Sequence, residues 1–396
     1  MNHPIIFDNS SAAVKRVLDP NTPLPAKMMA ASGMAPLPPL DLITVIYVLS
    51  YDKNEALSKK AIKTLVDLPD KILLGTIESL SHPEILDGIA KHLTSRNKAI
   101  EKILLNRKSS DETFEWLAKK VTSEQLLEII ISNEQRLLRT PVIIEKLYFN
   151  KHTRMSSVDR AVELAIRNGI ELDGIPAFEE AKKALEGELI FEPDAEPTPD
   201  DINFNSAVKH ADQLKDESID AINDILDALE DQPNDQSKEK DDVKTGKNKE
   251  TENKDDSIKK VGNLSSALST MTISQKIRMA MLGTASQRSV LIRDANKLVI
   301  MSVLKSPSVN ESEVRKYSAL KALPEEAMRF IASKREWTKQ YTVKLNLVNN
   351  PRTPVEHALR FLNHLRPNDI KTLERSKDVS GVINKAAKEL RKKRMK

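Results

Sequence analysis

Apolar residues in this chain recur at three- and four-residue steps, the spacing that gathers them on one side of an α-helix. Leu65, Leu68, Ile72 and Leu73 follow it, as do Ile85, Ile89 and Leu93. Residues suited to helix starts frame these runs. Asp41 opens a helix through Tyr51 and Asn54 one through Leu68; Pro69 opens the next to about Leu80, Pro83 one to Leu93, and Asn97 precedes one ending near Asn106. Ser110, with Glu112 and Thr113, starts a helix carrying Phe114, Leu117, Ala118 and Val121, and Thr122-Ser123-Glu124 leads into Leu126, Leu127, Ile130 and Ile131. A third helix, Glu134 to Phe149, carries Leu137, Leu138, Val142, Ile143 and Leu147. Ser156 to Asn168 and Pro176 to Leu185 finish this part, with Gly169 as a helix stop. Towards the carboxyl end the same pattern predicts helices over 274–282, 286–292, 295–305, 310–321, 324–333, 337–349, 353–364, 367–376 and 379–393.

Turn motifs repeat at a spacing of 44 residues. Asn106 and Asn150 each close an apolar run, and Pro307 and Pro351 follow Leu304 and Val348 at the same interval. Ser333-Lys334-Arg335 leading to Asn350 parallels Ser132-Asn133-Glu134 leading to Asn150. A period of this size filled with helices marks stacked units, each too small to bury its own apolar face. Three helices between successive asparagines is the armadillo-like count, where two would be HEAT-like. The asparagines themselves fall where one helix ends and another begins, so their amides are expected to bond exposed backbone groups there.

Charge divides the chain into three compartments. Residues 1–185 have a net charge of +1, residues 186–257 of −15 and residues 258–396 of +18. Within the first, residues 1–35 have no periodicity and read as a largely disordered N-terminal tail with one short helix near Ala12 to Leu18; residues 36–185 form an N-terminal helical-repeat domain. Residues 186–257 read as an acidic linker, and Gln232 to Lys254 holds too few apolar side chains to offset its ordering entropy. One stretch, 203–231, departs from this. Ile219, Ile222, Leu226 and Leu229 form an apolar stripe among aspartates, preceded by Phe204, Val208, Ala211 and Leu214. It is either a linear motif that docks in a groove or a solvated, marginal helix. Residues 258–396 form a basic C-terminal helical-repeat domain. The fold class expected is therefore all-α, two α-solenoid (armadillo/HEAT-like) halves joined by an acidic, largely disordered insert.

The stretch Val343 to Leu362, with Asn350-Pro351-Arg352-Thr353-Pro354, resembles the interhelical turn of leucine-rich repeat variant and HEAT-like proteins. With Pro36-Leu37-Pro38-Pro39 and Lys276 to Gly283, the chain is similar to a family of uncharacterised bacterial helical-repeat proteins over 36–185 and 264–396. The resemblance implies a helical fold and brings no activity, cofactor or catalytic residue. Asn106 and Asn150 are followed by Arg107 and Lys151 instead of proline, a looser version of the turn.

The candidate chemistry is electrostatic. Arg315, Lys316, Lys334, Arg335 and Lys339, with the tail Arg391, Lys392, Lys393 and Arg394, are candidate anion- or partner-binding residues. Trp337 and Tyr341 stand near three of them, as bases would require, although aromatics at helical spacing are usually core. Anionic membrane contact is a further reading of the same charge. No cysteine is present, so disulfides and thiolate metal sites are excluded, and ten glycines leave little material for phosphate loops. No histidine pair has metal-ligand spacing, and His357 and His364, seven apart, are expected to share a helix face. Neither a signal sequence nor a membrane-spanning stretch is evident, so a cytoplasmic address is expected. The function expected is a non-enzymatic scaffold for protein–protein interaction, without catalytic, cofactor or metal sites, whose acidic insert masks the basic half. The partner is an unknown protein; the alternative is a nucleic-acid-binding protein using the basic half.

Overall fold

The computed structural model describes residues 10–186, 197–215, 217–230, 249–376 and 379–394, with side chains of the helix that begins at 249 described from Asp256 onward. Among the described residues every regular element is helical, so the fold class is all-α. The chain separates into two units, Met1–Gly174 and Ile175–Lys396.

The first unit holds α1 (Ala12–Leu18), α2 (Leu24–Ala31), α3 (Pro39–Leu49), α4 (Glu55–Asp67), α5 (Asp70–Ser79) and α6 (Pro83–His92). It continues with α7 (Asn97–Leu105), α8 (Asp111–Lys120), α9 (Glu124–Ile131), α10 (Glu134–Arg139), α11 (Val142–Tyr148) and α12 (Met155–Arg167). Local chemistry sets several of these starts: the side chains of Asn54, Ser110 and Asn133 accept hydrogen bonds from first-turn N–H groups of α4, α8 and α10. Two expectations fail here. The single helix expected over Glu134 to Phe149 is two, because Pro141 cannot continue the ladder and biases Thr140 away from helical geometry. Residues 10–35 are not a disordered tail: α1 and α2 pack on α3 and α4 and bury Val14, Ala30 and Ala31. The burial in α2 rests on alanines, which give no large-apolar periodicity to read.

Packing in this unit is serial. α3 contacts α4, α5 and α6; α5 contacts α7, α6 contacts α8, α7 contacts α9, α8 contacts α11 and α9 contacts α12. This serial order is compatible with stacked helical units, in which each element completes the apolar face of its neighbours. Gly88 shows how close the approach is, because a Cβ there would lie 1.9 Å from the ring of buried Tyr47 on α3. Gly169 ends α12 at φ +66°, with Gly169 N–H donating to the Ile166 carbonyl and Ile170 N–H to that of Ala165, as the sequence anticipates for a helix stop.

Helix ends in this unit are closed by side chains from further along the chain. The last carbonyls of a helix have no donor within the helix. Arg96 donates to the Val66 and Leu68 carbonyls at the end of α4, at 3.0 and 2.7 Å. Asn106 donates to Ile77 and Leu80 at the end of α5, and Asn150 to Ala118 and Val121 at the end of α8, both bonds of the latter being 2.8 Å. The oxygens of these two asparagines accept from Lys108 and His152 N–H, fixing their own turns. Donor and carbonyl are 26–32 residues apart in every case. Ion pairs follow the same offset: Asp111 with Arg139, Glu124 with Arg154, and Glu134 with Arg160; Arg136 also reaches Asp111.

The second unit holds α13 (Phe178–Leu185), α14 (Pro199–Asp212), α15 (Ile219–Glu230), α16 (Lys249–Ser269), α17 (Ile273–Leu282), α18 (Ala285–Leu291) and α19 (Lys297–Lys305). Beyond these come α20 (Glu311–Tyr317), α21 (Glu325–Ser333), a short 3-10 turn (Trp337–Lys339), α22 (Tyr341–Asn349), α23 (Val355–Leu362), α24 (Pro367–Arg375) and α25 (Gly381–Arg394). α20, α21, the 3-10 turn, α22 and α23 repeat the order of α8, α9, α10, α11 and α12, the single helix expected over 337–349 being the 3-10 turn and α22 with Gln340 extended between them. Asn350 repeats the cap, donating to Ser318 and Leu320 at 3.2 and 2.9 Å and accepting from Arg352 N–H. At the matching position one period earlier stands Ser306, whose shorter side chain accepts only from Ser308 N–H.

The two units divide at 174/175, where the sequence places a boundary at 185, and the described helices of the acidic region fall in the second unit. α13 packs on α17 and α19, with Lys305 bonding both oxygens of Glu180 at 2.7 and 2.8 Å. α16 reaches back to Lys249, into the stretch expected to be linker, and buries Val261, Leu264 and Leu268. Of that expected linker, residues 187–196 and 231–248 lie outside the described residues.

Candidate interaction surface on the basic half

α14 and α15 lie on the basic half. The side chain of Thr198 and that of Asp201 bond each other's backbone N–H in a capping box that fixes the start of α14. Phe204, Ala207, Ala211 and Leu214 from this helix and its end are buried against α16 and α17. The fully buried Arg278 of α17 places its guanidinium 4.9 Å from the Phe204 ring centre, and Gln287 of α18 donates to the Ala207 carbonyl at 3.1 Å.

α15 packs on α16 and α18 through the expected stripe: Ile222 and Leu226 are buried, whereas Leu229 is 39% exposed and Ile219 half-buried. Its polar contacts are specific. Buried Asn223 donates to Ser289 at 3.5 Å and accepts from Arg293, whose guanidinium also bonds Asp227 at 2.7 Å. Asp220 pairs with Lys316 at 2.7 Å. The Lys316 ammonium, reinforced by Arg315, holds the Asp220 carboxyl below its ordinary range.

Beneath this contact lies a buried charged cluster. Arg288 bonds Glu313 through two nitrogens at 2.8 and 2.9 Å and donates to the Gly283 and Ser308 carbonyls; Glu313 also accepts from the Tyr317 hydroxyl at 2.9 Å. Burial, then the Glu313 charge, pushes the Tyr317 hydroxyl well above its ordinary range, against the Arg288 charge that lowers it. Each nitrogen of the Arg288 guanidinium has a partner, so the cluster is a structural tie. Sequence reasoning missed it, because an arginine and a glutamate 25 residues apart carry no sign of meeting.

Beside α15 a groove of about 830 Å³ opens over Ile292, Ile300, Leu320 and Leu323. Four cations border it, Arg293, Arg315, Lys316 and Lys321, with Asp294 held by Lys276 at 2.8 Å. Two of the nine candidate basic residues, Arg315 and Lys316, are therefore here. Lys334, Arg335 and Lys339 are exposed around the 3-10 turn, where Lys334 lies 5.1 Å from the centre of the Phe330 ring and Trp337 meets that ring edge-on at 6.0 Å. Tyr341 is taken up by Asp369 and the Arg366 guanidinium. In the tail, Lys392 and Lys393 are exposed, but Arg391 pairs with Glu374 and Arg394 donates to the Asn363 and Leu365 carbonyls beyond α23. These two arginines make caps and ties of the kind that recurs through the fold. His357 lies on α23 and His364 in the turn after it, so they do not share a helix face.

Among the described residues no cluster of three or more His, Asp or Glu side chains is placed to hold a metal, and no helix is long and apolar enough to cross a membrane. No protein-family model, curated protein or solved structure matches the chain.

Proposed function

We propose that the chain is a non-enzymatic helical-repeat scaffold for protein–protein interaction, in which the acidic helix α15 occupies part of a basic face and an acidic partner takes the rest. The observation that carries this reading is the pairing of Asp220 with Lys316 and Asp227 with Arg293 at the edge of an open basic groove. The Ile175–Lys396 unit, which contains both the −15 and the +18 segments, is nearly charge-balanced at +3. A surface that already selects acidic side chains from its own chain presents the same field to an external one.

The test is a pull-down from native lysate with the full chain and its Asp220→Asn/Asp227→Asn variant, with and without nuclease. Both aspartates are exposed, so the fold survives the change, whereas deletion of α15 would strip Ile222 and Leu226 from the core. The variant should retain more protein at low salt, and the difference should shrink as ionic strength rises. Equal retention at low salt refutes masking. Capture abolished by nuclease favours the nucleic-acid-binding alternative, for which the exposed cations around Trp337 are the supporting feature.

A further inference from the structure

We infer that the groove bordered by Arg293, Arg315, Lys316 and Lys321 is the seat of an acidic amphipathic segment from a protein partner, which lies alongside α15. The inference rests on the scaffold reading and names the partner's chemistry. Three observations carry it. The first is the groove's two-part character: Ile300, Leu320 and Leu323 lie in its floor, Ala319 and Ala322 leave room for a close approach, and the cations stand at the border. An apolar floor with a charged border suits a segment with one apolar and one acidic face.

The second is α15 itself, which forms one wall through Asn223 and Asp227. It records what this surface accepts: apolar residues four apart, Ile222 and Leu226, flanked by aspartates that reach Lys316 and Arg293. The third is the distribution of charge that α15 leaves. Arg315 is exposed on the groove side of α20 and contributes only at long range to Asp220. Among the described residues that line the groove none is aromatic, so they offer no platform for the base stacking of a single-stranded nucleic acid.

The experiment uses the full chain and a fluorescein-labelled synthetic peptide with the sequence of residues 217–230, followed by anisotropy at low salt. Binding is expected to weaken at least tenfold in Arg315→Glu/Lys321→Glu, to be unchanged in Lys392→Glu/Lys393→Glu, and to be several-fold weaker for a scrambled peptide lacking the four-residue apolar spacing. Arg315 and Lys321 are exposed, and an unchanged melting curve checks that the variant folds; Arg315→Ala/Lys321→Ala serves if reversal perturbs it. Absence of binding, equal loss in the tail variant, or equal affinity for the scramble overturns the proposal. So does a peptide that binds Arg315→Glu/Lys321→Glu normally. The masking reading is judged separately by Asp220→Asn/Asp227→Asn, which leaves Arg315 and Lys321 intact, so either idea can fail alone.

Discussion

Replacing Asn150 with alanine removes three hydrogen bonds at once and leaves the end of α8 without its donor. The side chain is 6% exposed, so water does not substitute freely. Its amide nitrogen serves the Ala118 and Val121 carbonyls at 2.8 Å each, and its oxygen holds His152 N–H at 3.0 Å. At about 0.5–1.5 kcal/mol net per bond, with more for a carbonyl left buried and unmet, the loss is about 2–4 kcal/mol. Asn150→Asp should cost at least as much, because a carboxylate still accepts from His152 but faces two carbonyl oxygens. Asn106→Ala removes the same set at a half-buried site and should cost less. A chain of two units does not give one unfolding transition, so the suitable readout is hydrogen exchange followed peptide by peptide. Loss of about 3 kcal/mol corresponds to exchange roughly a hundredfold faster in α8 and the 150–153 turn. A change below about 0.5 kcal/mol, or acceleration spread evenly over the first unit, would show that the amide does not close the helix below it.

Two further outcomes follow from the charged groups of the second unit. Glu313→Ala leaves Arg288 buried without its counter-charge and should destabilise this unit by about 3–5 kcal/mol, read by hydrogen exchange across α18 and α20; a loss under about 1 kcal/mol would mean the cluster relaxes or hydrates. The docking of α15 should weaken in acid. Because Lys316 depresses the Asp220 carboxyl in the folded state, its contribution is present above the ordinary aspartate value near 4 and disappears as pH falls through the depressed one. Hydrogen exchange across α15, taken stepwise from neutral pH into this range and corrected for intrinsic rates, should show the opening; Asp220→Asn should diminish that pH dependence, and an unchanged profile would refute the role of Asp220.

Helix positions were readable wherever large aliphatics alternate with capping residues. The helices over 273–282, 325–333 and 367–375 match their expected places within a residue or two. The failures share a cause, burial achieved without that signal. α2 buries alanines, and the beginning of α16 is polar and helical only as the extension of a segment anchored by Val261 and Leu264. For the surface, the stripe of Ile222 and Leu226 was legible as amphipathic, and the local turn chemistry of Asn150 was legible from its place after an apolar run. What each one meets was not, since Lys316 lies 96 residues from Asp220 and the carbonyls bonded by Asn150 lie 29 and 32 residues away. The same limit explains Arg391 and Arg394, which read as free cations until Glu374 and two carbonyls appear beside them.

The deferred closure of helix ends has a consequence for how the protein is made. A nascent chain that has just completed α8 still awaits the residue that finishes it, and that residue emerges about thirty positions later. Consolidation of this fold therefore trails synthesis by roughly one layer, and a transcript cut short anywhere within the first array leaves its final complete layer open.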